Sequence, residues 1–364
     1  MTTAAATDPV TRRPQRQPLQ LGTLTLRSQI VQAALSGYSD LPMRVMARRF
    51  GAAYTLCEVM LDQFLTQVGS NRRNLARLAI AAEEHPVGGQ LMGANPDDFA
   101  PAARRLVEAG FDCIDINFGC PVKKVLGRCR GGFLLSVPET ALEIVGRVRD
   151  AVPAHLPVTL KMRRGIDDSS ESEEKFFTIF DGAFDRGVAA ITVHGRSVVQ
   201  RYDGPSNWSF LTRVKRHAGH RTVLGSGDLF SPQACLAMLA QTGVDGVTVA
   251  RGAIGNPWIF QQTLALLDGA DPATLMPPRV KEQREVLAEH FRLAVDLHGE
   301  QLAGRSMRKF AIKYARLHPE SLTVRDAFIA AKTTADWQAA FTCHYATDAP
   351  GRDPAGAIEE TTEE

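Results

Sequence analysis

Long apolar runs are missing from this chain. No stretch of about 18 consecutive apolar residues occurs, so the sequence holds no membrane-spanning helix. Paired cysteines are missing as well. The six present (Cys57, Cys113, Cys120, Cys129, Cys235 and Cys343) form no C-x-x-C pair, which argues against a zinc site, and a chain of 364 residues rarely needs a disulfide framework. Residues 1–18 contain no apolar segment of signal-peptide length, and the expected setting is cytoplasmic and reducing. A large charge of either sign is also absent: 42 Lys and Arg face 40 Asp and Glu, a formal net charge of +2. That total hides its distribution. Residues 346–364 carry six acidic side chains and one arginine, so the chain before them stands at +7. A polyanionic partner is therefore not excluded.

What is present is ordinary globular material, 44% hydrophobic and 23% charged. The polar stretches 1–18 and 346–364 have little to bury and are expected to be disordered tails. Between them, eight strand candidates recur: Ile30–Leu35, Ala53–Cys57, Val87–Leu91, Cys113–Asn117, Val158–Met162, Ala190–His194, Thr222–Gly225 and Val244–Ala250. Each is followed by an amphipathic segment. Asn95-Pro96, Ser136 before Pro138, and Ser231-Pro232 mark helix starts, and Gly110, Gly187 and Gly243 mark segment ends. Eight β-then-α units in this length predict an α/β fold, a (β/α)8 TIM barrel over 19–275. A doubly wound sheet is the rival, but the first strand runs into Ser36-Gly37-Tyr38-Ser39-Asp40, which is no dinucleotide-binding turn. From Val280 the pattern becomes continuous helix (280–298, 302–317, 322–331, 335–343), a small all-helical domain over 279–345.

In such a barrel, function collects at the C-terminal ends of the strands. Those positions are Ser36/Gly37, Glu58, Gln90, Asn117 with Gly119-Cys120-Pro121, Lys161 with Arg163, His194 with Arg196, Ser226-Gly227-Asp228, and Arg251-Gly252. They include no carboxylate pair placed for glycoside hydrolysis and no metal cluster. Gly227 and Gly252 end the last two strands, where backbone amides commonly seat a phosphate, and Arg251 adds a cation. The bland alternative is two tight turns. Lys161 fits a Schiff-base nucleophile, a phosphate contact, a cation beside an electron-rich ring, or a snorkelling strand-end lysine. Cys120 fits a nucleophile, a proton donor or an inert thiol. Lys123, Lys124, Arg128 and Arg130 make a basic, glycine-flanked loop beside the mouth, suited to an anionic polymer or merely solvated. Arg305, Arg308, Lys309 and Lys313 fall on one helical face with no acidic partner in the stripe.

Taken in order, the stretches Asp115-Ile-Asn-Phe-Gly-Cys-Pro121, Leu160-Lys-Met-Arg163, Thr192-Val-His-Gly-Arg196, Ser226-Gly-Asp228 and Arg251-Gly-Ala-Ile-Gly-Asn-Pro-Trp258 resemble the tRNA-dihydrouridine synthase family, over residues 20–340. The resemblance implies an FMN enzyme that reduces the C5–C6 bond of uridines in tRNA with NADPH. It makes Cys120 the general acid for C5, with hydride passing from flavin N5 to C6. It places Ala34, Leu35, Gln90, Lys161 and His194 around the flavin. Ser226, Gly227, Asp228, Arg251 and Gly252 go to its phosphate side, and Asn117 and Arg196 to the uracil side. The basic loop and the basic helical stripe become RNA contacts. Three positions depart from the family pattern: Ala33-Ala34-Leu35-Ser36 on the first strand, Ser226 where Asn is usual, and Arg128-Cys129-Arg130. Rival readings are an FMN barrel acting on ribosomal RNA or on a small molecule, and an RNA-binding barrel without redox chemistry.

Overall fold

Nearly every residue of the strands is buried on both faces, as a parallel sheet wrapped in helices requires. The computed structural model describes residues 13–67 and 72–354. Its barrel strands are β1 (Ile30–Gln32), β2 (Tyr54–Leu56), β3 (Val87–Met92), β4 (Cys113–Phe118), β5 (Val158–Arg163), β6 (Ala190–His194), β7 (Thr222–Ser226) and β8 (Gly246–Val249), with a two-residue strand, Met60–Leu61, added alongside the upper end of β3. They pair in parallel in sequence order, and β8 pairs with β1 to close the ring. This is the eight-stranded (β/α)8 barrel expected, with a helical C-terminal region. Asn95 and Ser231 cap their helices by accepting from Asp97 N and Ala234 N. Ser136 does not cap: its hydroxyl donates to Phe133 O, and Val137 occupies the cap position.

A hairpin of Leu19–Leu21 and Leu24–Leu26 precedes the barrel and had no counterpart in the sequence reading. Its segments are three residues each, too short to show alternation. Leu19, Leu21 and Leu26 pack with Val31, Tyr54, Cys113, Ala190 and Leu224, so the hairpin plugs the N-terminal end of the barrel. The adjoining stretch 13–18 is not a loose tail: Arg13 donates to Leu266 O, Arg16 N donates to Leu267 O, and Gln17 N donates to the Gln29 side chain. The C-terminal expectation needs the same correction. Asp348 accepts from Arg279 and from Lys281 N, Val280 N donates to Ala349 O, and Arg352 N donates to Leu317 O, so residues 346–354 fold back onto the helical region. Backbone hydrogen bonds hold both stretches where their composition offered little to bury. The expected tail residues 1–12 and 355–364 lie outside the described residues.

The helical region comprises Val280–His298, Glu300–Tyr314, Ser321–Ala330 and Thr334–His344. Phe328, Trp337, Phe341 and Tyr345 make its aromatic core. It docks on the barrel by close backbone approach: a Cβ on Gly255 would lie 2.5 Å from Tyr314 N. Among the described residues no helix is long and apolar enough to cross a membrane.

One buried ion pair anchors the first βα unit. Arg44 donates to both oxygens of Glu84, at 2.7 and 3.1 Å, and to Ser39 O and Ala79 O, with side-chain exposures of 2% and 0%. Removing one partner leaves an uncompensated charge out of water. Glu84→Gln is expected to destabilise the fold by about 3–5 kcal/mol, read as a lowered urea midpoint. An unchanged midpoint refutes the assignment.

Candidate active site

Parallel register decides which inward-facing side chains share a level of the barrel. Asp115 stands opposite Gln90 on one side and Thr159 on the other. One step up, Asn117 stands opposite Lys161, and Lys161 opposite Thr192. Higher still, Arg163 faces His194, which faces Ser226. A column of hydrogen bonds runs up this wall. Thr159 Oγ1 donates to Asp115 Oδ1 (2.6 Å), and Gln90 Nε2 donates to Asp115 Oδ2 (2.7 Å). Asn117 Nδ2 donates to Gln90 Oε1 (2.7 Å), and Gly119 N donates to Asn117 Oδ1 (2.9 Å). The next residue is Cys120.

Cys120 is partly covered. Burial pushes its thiol above the ordinary range, against the opposing pull of the Val122 amide, Arg163 and Lys161. At neutral pH it holds its proton, which fits an acid rather than a thiolate nucleophile. The basic loop folds back over it as a short helix, Lys123–Leu126, and a 3-10 turn, Gly131–Ser136. Gly131 is required there: its φ is +59°, and a Cβ would lie 2.8 Å from the Cys120 Cβ. Lys123, Lys124, Arg128 and Cys129 are exposed. Arg130 is not. It turns inward and donates to Gln63 Oε1 at 3.0 Å, which takes it out of the expected RNA-contact set.

Across the mouth the site is cationic. Burial, reinforced by Arg163, brings the Lys161 ammonium down to about 8. Burial and then the surrounding Lys161, Arg163, Arg196 and Arg251 hold His194 well below the usual histidine range. Its Nδ1 accepts from Arg196 N at 3.1 Å, so the neutral ring carries its proton on Nε2. Arg163 donates to the carbonyls of Gly119, Ser197 and Arg201. Tyr202 was missed in the sequence. It is exposed, and the Arg251 and Arg163 guanidinium groups lie over its ring at 4.4 and 5.4 Å from the centroid. The only signal was an aromatic in the turn-rich stretch Gln200-Arg201-Tyr202-Asp203-Gly204 after a strand.

Just past the end of β7, Gly227 and Asp228 both have positive φ (+120° and +60°). The Asp228 carboxylate accepts from Ser206 N (2.6 Å) and from Arg196 (2.7 Å), so it braces the turn. Arg196, expected toward a base, is 3% exposed and spent on Asp228 and Gly204 O. Yet Arg196 Nη1 and Ser206 Oγ, beside Gly227, are buried without any hydrogen-bond partner. Orphaned donors at this place fit a phosphate. Ser226 is buried in the strand, Arg251 is half-exposed, and Ala34 and Leu35 are partly buried at the exit of β1. Gln90, expected to touch a ring, has both amide atoms committed to Asp115 and Asn117.

The basic helical stripe is not brought to the mouth as a free surface. Lys309 donates to Gly37 O and lies over the Tyr38 ring, tying the helical region to the loop after β1. Lys313 packs where Gly255 of the barrel meets the helical region, Arg308 is half-buried and Arg305 is exposed.

A (β/α)8 barrel with a protonated thiol, a desolvated cationic wall and orphaned donors beside Gly227 has a mouth suited to an anionic ligand. Comparison with known proteins sharpens this. The dihydrouridine synthase (Dus) family profile matches residues 31–348, and the chain belongs to that family. The chain is 34% identical over 327 residues to the tRNA-dihydrouridine synthase B of Xanthomonas campestris, covering 90% of this chain and 95% of that one. It is 33% identical over 310 residues to the probable tRNA-dihydrouridine synthase of Rickettsia conorii, covering 85% and 91%. Among solved structures, morphinone reductase in complex with tetrahydroNAD shares the barrel, with a TM-score of 0.52 at 14% identity, over 72% of this chain and 93% of that one.

The depressed lysine gives a pH signature. Between about pH 8 and the ordinary lysine range, the unfolded chain keeps a proton that folded Lys161 has released, so this group makes stability rise with pH. The buried thiols Cys57, Cys113 and Cys235, pushed up to about 11 or 12, act with the opposite sign. The difference between wild type and Lys161→Met isolates the lysine. The variant's stability advantage is expected to shrink as pH rises through about 8–10, measured by thermal unfolding. A pH-independent difference contradicts it.

Proposed function

We propose that this chain reduces the C5–C6 double bond of uridines in tRNA to dihydrouridine, as a cytoplasmic monomer with FMN as resident cofactor and NADPH as reductant. The observation that carries the reading is Cys120: a thiol kept protonated by burial, fixed through Gly119 and Asn117, beside a cationic barrel mouth. Family membership and the names of the relatives support tRNA uridine as the substrate.

The backbone amides of Gly227, Asp228, Arg251 and Gly252 would hold the FMN phosphate, with the Arg251 guanidinium and the unpartnered Ser206 Oγ and Arg196 Nη1 adding donors. Lys161 and His194 would lie on the ring side, with the backbone of Ala34 and Leu35. When bound there, FMN would supply the hydride for C6 of the uracil. Cys120 gives its thiol proton to C5, so hydride and proton together saturate the bond and leave a thiolate to be reprotonated. Lys161 near pH 8 still carries charge at neutral pH and offsets the negative charge that a reduced ring acquires. The target nucleotide must leave its stack to reach this depth. The exposed Lys123, Lys124 and Arg128 beside the mouth, and Arg305 on the helical region, would hold phosphates outside it.

Cys120→Ala is the test. The variant is expected to keep its flavin and lose dihydrouridine formation in purified tRNA by about 10²–10⁴-fold, measured by mass spectrometry of nucleosides. Turnover at the wild-type rate removes Cys120 as the acid. A wild-type preparation that carries flavin and leaves tRNA unreduced refutes the substrate.

A further inference from the structure

Asp115 is 2% exposed, one of the few carboxylates buried among the described residues; burial pushes its carboxyl up, against the pull of Thr159, Gln90 and the Lys161 charge. Burying a carboxylate among neutral groups is costly, so the position calls for a reason. Among side chains of its size, a carboxylate alone offers two acceptor oxygens and no donor. Here both oxygens are used, one by Thr159 Oγ1 and one by Gln90 Nε2.

That arrangement has a direction. Gln90 is fully buried, and an amide presents a donor at one end and an acceptor at the other. With Nε2 drawn down to Asp115, Oε1 must point up, where it accepts from Asn117 Nδ2. Asn117 then has its own Oδ1 free to accept from Gly119 N. Turn Gln90 over and every bond above it reverses, ending with Asn117 Nδ2 against the Gly119 N–H, donor against donor. We infer that Asp115 is a positioning residue: its two acceptors set the amide polarity of Gln90 and Asn117 and so fix the backbone that presents Cys120. The inference rests on the proposed reduction only in calling Cys120 the acid.

The test separates acceptor polarity from buried charge. In Asp115→Leu, Gln90 loses its anchor. Alkylation of Cys120 by iodoacetamide in the flavin-free protein, followed on the Cys120 peptide by mass spectrometry, is expected to speed up by about threefold or more. In the holoenzyme kcat is expected to fall about tenfold with KM for tRNA little changed. Asp115→Asn should largely rescue both. Its Oδ1 can still accept from Gln90, while the Thr159 hydroxyl turns to accept from Nδ2 and donate to Cys113 Sγ, 3.6 Å away. If Asp115→Leu does not fold, Gln90→Met breaks the same chain one link higher and should accelerate alkylation equally. Wild-type alkylation in a folded Asp115→Leu or Gln90→Met protein overturns the inference. So does an Asp115→Asn variant as impaired as Asp115→Leu. Loss of the function reading would show instead as a wild type inert toward tRNA, while the alkylation comparison still decides the role of Asp115.

Discussion

Lys161, Arg163, His194, Arg196 and Arg251 crowd onto the ends of three strands where little water reaches most of them, and burial together with the neighbouring cations makes Lys161, Arg163 and His194 harder to protonate. Burial of like charge on this scale costs free energy that the protein relieves locally. Three carbonyls take up Arg163, Asp228 takes up Arg196, and the Tyr202 ring lies beneath Arg251. From below, Asp115, its own carboxyl pushed up by burial, pulls the Lys161 ammonium back toward its ordinary range. The relief is incomplete, as the depressed Lys161 and the neutral His194 record. An anion in the mouth would complete it, and the proposed cofactor, with its phosphate and a ring that turns anionic on reduction, is of that kind.

Much of this was legible in the linear sequence. The strands are short apolar segments bounded by polar or glycine ends, and seven of the eight candidates overlap their strands to within two residues at each end; β1 stops three residues early, at Gln32. The inward-facing column was legible in principle from alternation alone, since Asp115 and Asn117 are two residues apart on one strand and therefore share a face. Its pairing with Gln90 and Thr159 was not. That depends on register between segments more than 20 residues apart, which no local pattern encodes.

The cations were the least legible feature. Arg130, Arg196 and Lys309 read as solvent-facing or substrate-facing charges, and the fold turns each to a structural use: Gln63, the Asp228 and Gly204 pair, and Gly37 O. An arginine has five donors on a long flexible stem, so nothing in its neighbours along the chain says which carbonyl it will find. Lys123 and Lys124 stay exposed because the short helix they sit on has no face to bury, and Arg128 just beyond it is exposed as well. The tails were misread for a related reason: main-chain hydrogen bonds to the barrel and helical region order 13–18 and 346–354, and main-chain bonding carries no compositional signature.

The leucine hairpin under the barrel has a consequence for traffic. With Leu19, Leu21 and Leu26 stoppering one end, the barrel is a cup with a single opening. In the proposed reaction a nicotinamide and a nucleotide would both reach the flavin through that opening. They would then take turns, one visit charging the flavin and the next discharging it.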